Sequence, residues 1–365
     1  MPFTSDKSSS SPIYAALADR LRETIKSGNL NPGELIGSEH EISRRENISR
    51  MTVRKASDLL IQEGLIERRP GKGLYVSGAG TLTSGIIQIV AGNLMWETSM
   101  QMARGVQQAA GENGSHVQLY DAHSDIDLDL QLIEQLPAGK AKGAIIISLH
   151  NPQFSAAICR LATSGFPFVL LDQRMRDIEV SAITADNYGG GLLMGQHFIA
   201  KGHRKAAFIG DLIAVTVQER LSGFRDGLAD GGVALKRTMV HDLTAASDHF
   251  GDWSTCIHDA TRLLMNHPDR PTAIFCSCDA IAREVYKTLN SLGLHVGTDI
   301  SVAGFDDDPL DSYLTPALTT IRQPFTAMGE AAMKLLRERI MFPTNPAEFR
   351  ALPVTLVERD SVRQL

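Results

Sequence analysis

Apolar positions along the chain change their period twice, and each change marks a boundary. Ile13, Leu17, Leu21 and Ile25 recur at helical spacing behind Pro12, which predicts an amphipathic helix up to Gly28. Asn31-Pro32-Gly33 reads as a turn. Ser38 with Glu41 three residues on forms a capping box that opens a short helix through Arg45. Ser49 caps the next helix, whose apolar side holds Val53, Ala56, Leu59 and Leu60 and which Gly64 ends. Residues 65–69 and 74–76 then read as a hairpin around Pro70-Gly71-Lys72-Gly73.

Residues 77–84 are small, polar and glycine-rich, the composition of a linker, and residues 1–11 read as a loose Ser-rich arm. Beyond the linker, continuous apolar runs alternate with helical stretches. The predicted strands are 85–90, 116–120, 143–148, 168–171, 182–184, 205–209, 273–276 and 300–305. Apolar strands alternating with helices indicate parallel sheets covered on both faces. A stretch of about 280 residues is roughly twice one such unit, so two lobes with a cleft between them are expected. The fold class is therefore α/β, with a small α+β winged helix-turn-helix at the N-terminus. The boundaries are 11–76 for the head, 77–84 for the linker and 85–361 for the two-lobed part.

Composition adds less than its distribution. Hydrophobic residues at 43% with 21% charged describe a globular chain. No run of about 18 apolar residues is present and the first residues lack a signal-peptide layout, so a cytoplasmic protein with no membrane partner is expected. The net charge of -6 argues at first against nucleic acid. Residues 1–83, however, hold 12 Lys and Arg against 10 Asp and Glu, while the remainder holds 24 against 32. Only the head has the sign a phosphate backbone attracts. Within it Arg44, Arg45, Arg50, Arg54, Lys55, Arg68, Arg69 and Lys72 crowd into one stretch.

A helix that enters the major groove is read from its N-terminal end, where Ser49, Arg50, Thr52 and Arg54 fall. Hydroxyls suit phosphates, an arginine can bond a guanine edge twice, and a tip with Gly71 and Lys72 can approach the minor groove closely. Here residues 11–76 resemble the winged-helix domain of GntR-type bacterial repressors. The resemblance is carried by Ser11-Pro12-Ile13-Tyr14, Gly28-Asn29-Leu30-Asn31-Pro32-Gly33, Ser38-Glu39, Ser49-Arg50-Met51-Thr52-Val53-Arg54, Glu63-Gly64-Leu65-Ile66 and Arg69-Pro70-Gly71-Lys72-Gly73 with Val76. It implies DNA contacts at Glu39, His40, Ser49, Arg50, Thr52, Arg54, Gly71 and Lys72. The chain departs from the pattern at Ile36-Gly37, where the family has Leu-Pro, and at His40, where an arginine or asparagine-like residue is common.

In open parallel sheets ligands sit beyond the carboxyl ends of the strands. Asn93 and Trp96 follow the first long strand, His150 the third, Asp172 and Arg174 the fourth, and Asp279 the run ending at Cys276. Carboxylates and an arginine hold neighbouring hydroxyls, and an indole face covers the apolar side of a sugar ring. Residues 85–361 are similar to the sensor domain of LacI/GalR repressors. The similarity lies in Asp186-Asn187-Tyr188, Gly202-His203-Arg204-Lys205, Gln218-Glu219-Arg220-Leu221-Ser222-Gly223-Phe224, Ser277-Cys278-Asp279-Ala280-Ile281-Ala282, Asp299-Ile300-Ser301-Val302-Ala303-Gly304-Phe305-Asp306-Asp307 and Leu314-Thr315-Pro316-Ala317-Leu318-Thr319-Thr320-Ile321. That family has the fold of periplasmic sugar-binding proteins, and a GntR-like head on such a body is the arrangement of the AraR-type arabinose repressors. The resemblance implies a sugar effector met by Arg220 and Asp279, then by Asp252 beside Trp253 and by Asp186.

Several residues carry a second reading. Asp186 also suits a helix cap, Trp96 lobe packing, and His203 a structural hydrogen bond. Asp306-Asp307-Asp308 reads as a turn and interface feature and Gly189-Gly190-Gly191 as close helix packing, so neither joins the site. Cys276 and Cys278 read as small buried side chains, since no second Cys or His pair stands at ligand spacing; no metal and no cofactor are expected. Catalytic motifs are lacking, so no enzyme is expected. The sequence thus predicts a ligand-responsive repressor of carbohydrate-utilisation genes, a homodimer on a palindromic double-stranded operator. The alternative is a sugar-binding protein without a regulatory role.

Overall fold

The computed structural model describes residues 12–26, 30, 33–63, 65–77, 85–112, 114–148, 153–244 and 253–365. The N-terminal arm, Gly64, most of the linker, His150 and Asp252 lie outside the described residues, as do Asn31 and Pro32 of the first turn.

The head is built from α1 (Ile13–Lys26), β1 (Leu35–Gly37), α2 (Glu39–Glu46), α3 (Arg50–Gln62), β2 (Ile66–Arg69) and β3 (Gly73–Val76). Its helix starts are chemical. The Ser38 amide donates to Glu41 Oε2 at 2.7 Å while Ser38 Oγ accepts from the Glu41 amide at 3.2 Å. Ser49 Oγ accepts from the Thr52 amide at 3.1 Å and caps α3. Asn47, left-handed at φ 54, turns the chain between the two helices, a conformation Asn tolerates. Strand β1 has no counterpart in the sequence reading: it is three residues long and pairs antiparallel with β3, giving the order β1-β3-β2. Ile36, at the departure from the family pattern, is buried there beside Leu17, Ile42, Val53, Leu60 and Leu74. One member of that core comes from the far end of the chain. Phe342 is buried in it and Met341 packs against it.

Beyond the linker lie β4 (Ile86–Ala91), α4 (Glu97–Gly111), β5 (His116–Asp121), α5 (Ile126–Gln135), β6 (Gly143–Ile147), α6 (Phe154–Thr163), β7 (Phe168–Leu171) and β8 (Ala182–Ala185). The second lobe adds α7 (Asn187–Ala200), β9 (Ala206–Gly210), α8 (Val215–Asp230), β10 (Val240–Asp242), α9 (Trp253–Asn266), β11 (Ala273–Cys276), α10 (Asp279–Ser291) and β12 (Ser301–Ala303). The chain then crosses through β13 (Thr320–Arg322) into α11 (Phe325–Met341) and β14 (Phe349–Leu352), and returns through β15 (Thr355–Val357). The first sheet runs β14-β8-β7-β6-β4-β5 and the second β10-β9-β11-β12, both parallel. Both faces of each sheet are covered, with separate apolar cores on the two sides.

Strands of fewer than five residues account for the misses. β13 and β15 pair with each other, antiparallel, where the chain passes between lobes. Strand β12 stops at Ala303, short of the predicted Phe305, because the Gly304 and Asp306 amides turn to Thr319 O and Ile321 O. The glycines of α7 pack, as read from their setting: a Cβ on Gly191 would lie 2.0 Å from the Arg220 carbonyl oxygen. On the facing helix, a Cβ on Gly223 would lie 2.0 Å from the Tyr188 carbonyl oxygen. The helices α7 and α8 therefore meet main chain to main chain, which sets Arg220 against Asn187.

Candidate DNA-binding face and effector cleft

The eight residues expected at DNA divide by their partners. His40, Ser49, Arg50, Arg54, Gly71 and Lys72 are exposed, and Glu39 and Thr52 are half-buried. The side chains of Arg44, Arg50, Arg54, Lys55 and Lys72 make no ion pair or hydrogen bond among the described residues. Several other basic residues of the head are engaged, Arg22 with Asp19 and Glu63 and Arg45 with Glu46. Arg68 bridges Glu39 at 2.8 Å and Asp58 at 2.9 Å, and Arg69 holds Glu67 while lying over the Tyr75 ring. Arg20 pairs with the buried Glu46. Cations kept without internal partners are the ones available to phosphates. Glu39 is thus tied to the wing through Arg68 in this structure. Ser49 and Thr52 are joined to each other, Oγ to Oγ1, at 2.8 Å at the opening of α3. At the wing tip Gly71 has φ 73 with nothing near its missing Cβ, so the backbone can approach a surface closely.

The cleft is assembled from strand ends of both lobes. Arg220, on α8, is buried; its Nε donates to Asn187 Oδ1 at 2.8 Å and its Nη1 to the Ser277 carbonyl at 2.5 Å. Its guanidinium lies 3.9 Å from the Phe305 ring centroid. Two acids face this cation. Asp172 follows β7 in the left-handed region at φ 60, strain that a short polar side chain tolerates. Its Oδ1 is buried without a hydrogen-bond partner among the described residues. Burial pushes its carboxyl up to about 6, and Arg220 pulls the other way. Asp306, after β12, is held above the ordinary carboxylate range by burial and by the nearby Asp279, with Arg220 again opposing. Gln323, after β13, donates to Asp306 Oδ1 at 2.7 Å and keeps a buried Oε1 without a partner. The arrangement is a fixed cation ringed by carboxyls and an amide with unused acceptors, suited to a small, neutral, hydroxyl-rich molecule.

The remaining predicted residues have other settings. Asp186 caps α7, accepting from the Gly189 amide at 2.8 Å, which is its second reading. Trp96 is 48% exposed at the start of α4. Arg174 leaves the cleft to pair with Glu219 at 2.9 Å. Asp279 is fully buried: Oδ1 accepts from Thr320 Oγ1 at 2.7 Å and Oδ2 from the Asp308 amide at 3.1 Å. As placed, it presents no surface to the cleft and anchors the crossing strand β13. His203 is a structural hydrogen-bonder, 2.9 Å from Thr272 Oγ1, and burial lowers its imidazole to about 4. Asp306, which the sequence reading places in an acidic turn, is buried facing Arg220. The triplet splits three ways: Asp306 to the cleft, Asp307 to Arg322 and Arg359, Asp308 to Arg283. Asn187 and Gln323 were likewise missed, being single amides with no spacing signal.

Residues 13–76 match the bacterial regulatory proteins of the gntR family, and residues 196–362 match a periplasmic binding protein-like domain. The arabinose metabolism transcriptional repressor of Geobacillus stearothermophilus is 27% identical over 345 residues, covering 90% of this chain and 91% of that protein. The ribose operon repressor of Escherichia coli K12 is 32% identical over 262 residues, 72% of this chain and 77% of its own length. A LacI family transcriptional regulator from Enterococcus faecium, solved with bound ribose, superposes with a TM-score of 0.64 at 25% identity, covering 77% of this chain and 99% of that one. The gntR-type match sets aside the reading as a sugar-binding protein without a regulatory role. No helix among the described residues is long and apolar enough to cross a membrane. The chain belongs to the bacterial transcriptional repressors in which a gntR-type DNA-binding head is joined to a LacI-type, periplasmic-binding-protein-like sensor domain.

Proposed function

We propose that this repressor controls carbohydrate-utilisation genes from the cytoplasm and leaves its operator when a small sugar, a pentose in the first instance, closes the cleft. The observation that carries the reading is the buried Arg220, held by Asn187 and Ser277 and faced by Asp172 and Asp306 with unused acceptors around it. Arg220, Asp172, Asp306 and Gln323 take the sugar hydroxyls. Trp96 covers the apolar ring face from the first lobe, and Asp252 is the further carboxylate that the family resemblance implies. Asp186 and Asp279 serve as cap and anchor. The names of the relatives, repressors of arabinose and ribose operons, support a pentose.

The reading includes a homodimer on a palindromic operator. Exposed Met95, Met100 and Leu119 on the first lobe, with Leu310 and Tyr313 on the second, offer apolar surface for a second copy. The protein acts by binding and not by catalysis. Operator DNA in an anisotropy titration, with D-ribose, L-arabinose, D-xylose and D-glucose added in turn, tests all of this. One sugar should release the DNA; binding that ignores every sugar would end the effector claim, and a monomer in sedimentation would end the dimer.

A further inference from the structure

Behind the cleft lies a second acidic group that the effector reading leaves unused. Asp279 opens α10 with both oxygens engaged, and a Cβ on Gly304 would lie 2.0 Å from Oδ1, so the side chain is held from every side. One turn further along α10, Arg283 reaches Asp308 Oδ2 at 3.1 Å and Asp311 Oδ1 at 3.0 Å. Asp311 belongs to the 3-10 turn Pro309–Tyr313 and is completely buried. Its Oδ2 is also buried, receives no hydrogen bond, and Asp279 lies within hydrogen-bonding reach.

Three carboxyls therefore surround one guanidinium, and full ionisation would enclose uncompensated negative charge. A buried carboxyl in that position takes up a proton. Which one does so follows from the partners. Both oxygens of Asp279 already serve as acceptors, one for the Thr320 hydroxyl and one for the Asp308 amide. Asp308 keeps some contact with water and its own Arg283 bond. Asp311 has neither a second donor nor water, and a carboxylate opposite it.

We propose that Asp311 is a neutral carboxylic acid whose Oδ2–H donates to Asp279, making it the positioning residue for the anchor that ties the cleft to the crossing strand β13. Burial and the neighbouring Asp279 hold its carboxyl well above the ordinary range, against the pull of Arg283. The other ionisable groups around the pair are Asp306 and Asp308 on the loop after β12, Arg283 and Tyr286 on α10, and Cys276 and Cys278 at the end of β11. Burial holds both thiols and the Tyr286 phenol above their ordinary values, so none of them supplies a competing charge near neutral pH. The inference rests on the sensor reading above only for its consequence, not for the proton itself.

The full-length protein tests it in two arms. Near neutral pH and without sugar, the infrared difference between wild type and Asp311→Asn should show a protonated-carboxyl carbonyl band that the variant lacks; no such band overturns the assignment. Asparagine keeps a donor toward Asp279 and an acceptor toward Arg283. Its melting temperature should therefore stay within about 3 °C of wild type, while Asp311→Ala falls by roughly 5 °C or more. An asparagine variant that falls as far as the alanine one means an ionised Asp311 paired with Arg283, and also overturns the proposal. In the second arm D-ribose and L-arabinose are titrated against the DNA complex. Wild type deaf to both sugars, with the band and the asparagine rescue intact, sinks the sugar reading alone. Sugar release without the band sinks the proton alone.

Discussion

The head and the cleft handle positive charge in opposite ways. On the head, Arg50, Arg54 and Lys72 stand in water without internal partners, where each charge is cheap to keep and easily screened. In the cleft, one arginine is buried with its Nε given to Asn187 and its Nη1 to the Ser277 carbonyl, and its neighbouring acids are held toward their neutral forms. The first arrangement suits a long polyanion met along a surface. The second suits a small neutral ligand that must replace water in a confined space. A cation is thus left open to solvent on one domain and fixed in a hydrogen-bonded frame in the other.

The comparison breaks most visibly at Arg220. Replacing it with alanine leaves Asp172 and Asp306 without their countercharge and Asn187 without its partner, a loss of about 3–5 kcal/mol for an uncompensated buried group. The sensor should melt earlier and the sugar response vanish, while operator affinity without sugar stays within a few fold, as thermal melts and anisotropy would read. An unchanged melt would mean that the cation is solvated after all.

On the other side, Arg50→Ala or Arg54→Ala should weaken operator binding by about 1–3 kcal/mol each and leave sugar affinity untouched. Filter binding on specific and scrambled DNA separates base reading from phosphate contact. If either change weakened both DNAs equally, its role would be electrostatic only.

The smallest effect sharpens the contrast through pH. Asp172 is raised to about 6, so between its ordinary value and 6 the folded sensor holds a proton that the unfolded chain has released. Its contribution to stability is therefore lost as pH rises through that window. Sugar hydroxyls that donate to Asp172 favour its anion, so binding expels the proton. Affinity should rise by up to about tenfold per unit below pH 6 and level off above it. Calorimetry in buffers of different ionisation heat measures this, and Asp172→Asn should flatten the profile. A head substitution such as Lys72→Ala should leave it unaltered.

How much of each region could be read beforehand follows from the same contrast. The head is local: Ser38, Glu41, Ser49 and Gly71 act within a few residues of themselves, so their order along the chain already carries the shape. The cleft is non-local. Asp172, Asn187, Arg220, Asp306 and Gln323 come from five separate segments, and nothing in their spacing links them. Asp306 was hidden among three acids whose fates differ completely. Asp279 was legible as a family position, but its burial was not, because the Thr320 hydroxyl that covers it arrives from 41 residues away. Strand β1 was missed for a different reason: three residues at a glycine leave too short a pattern to alternate.

The contact between α7 and α8 bears on how such sensors change their preferences over evolutionary time. Gly191 and Gly223 press against opposing carbonyls, so the separation of the two helices depends on no side-chain volume that mutation could gradually adjust. Arg220 is carried on that rigid crossing, whereas Asp172 and Gln323 sit on strand-end loops. A descendant can therefore exchange the loop residues and court a new sugar while its cationic anchor stays where it was. Retargeting needs substitutions at the rim and none in the frame.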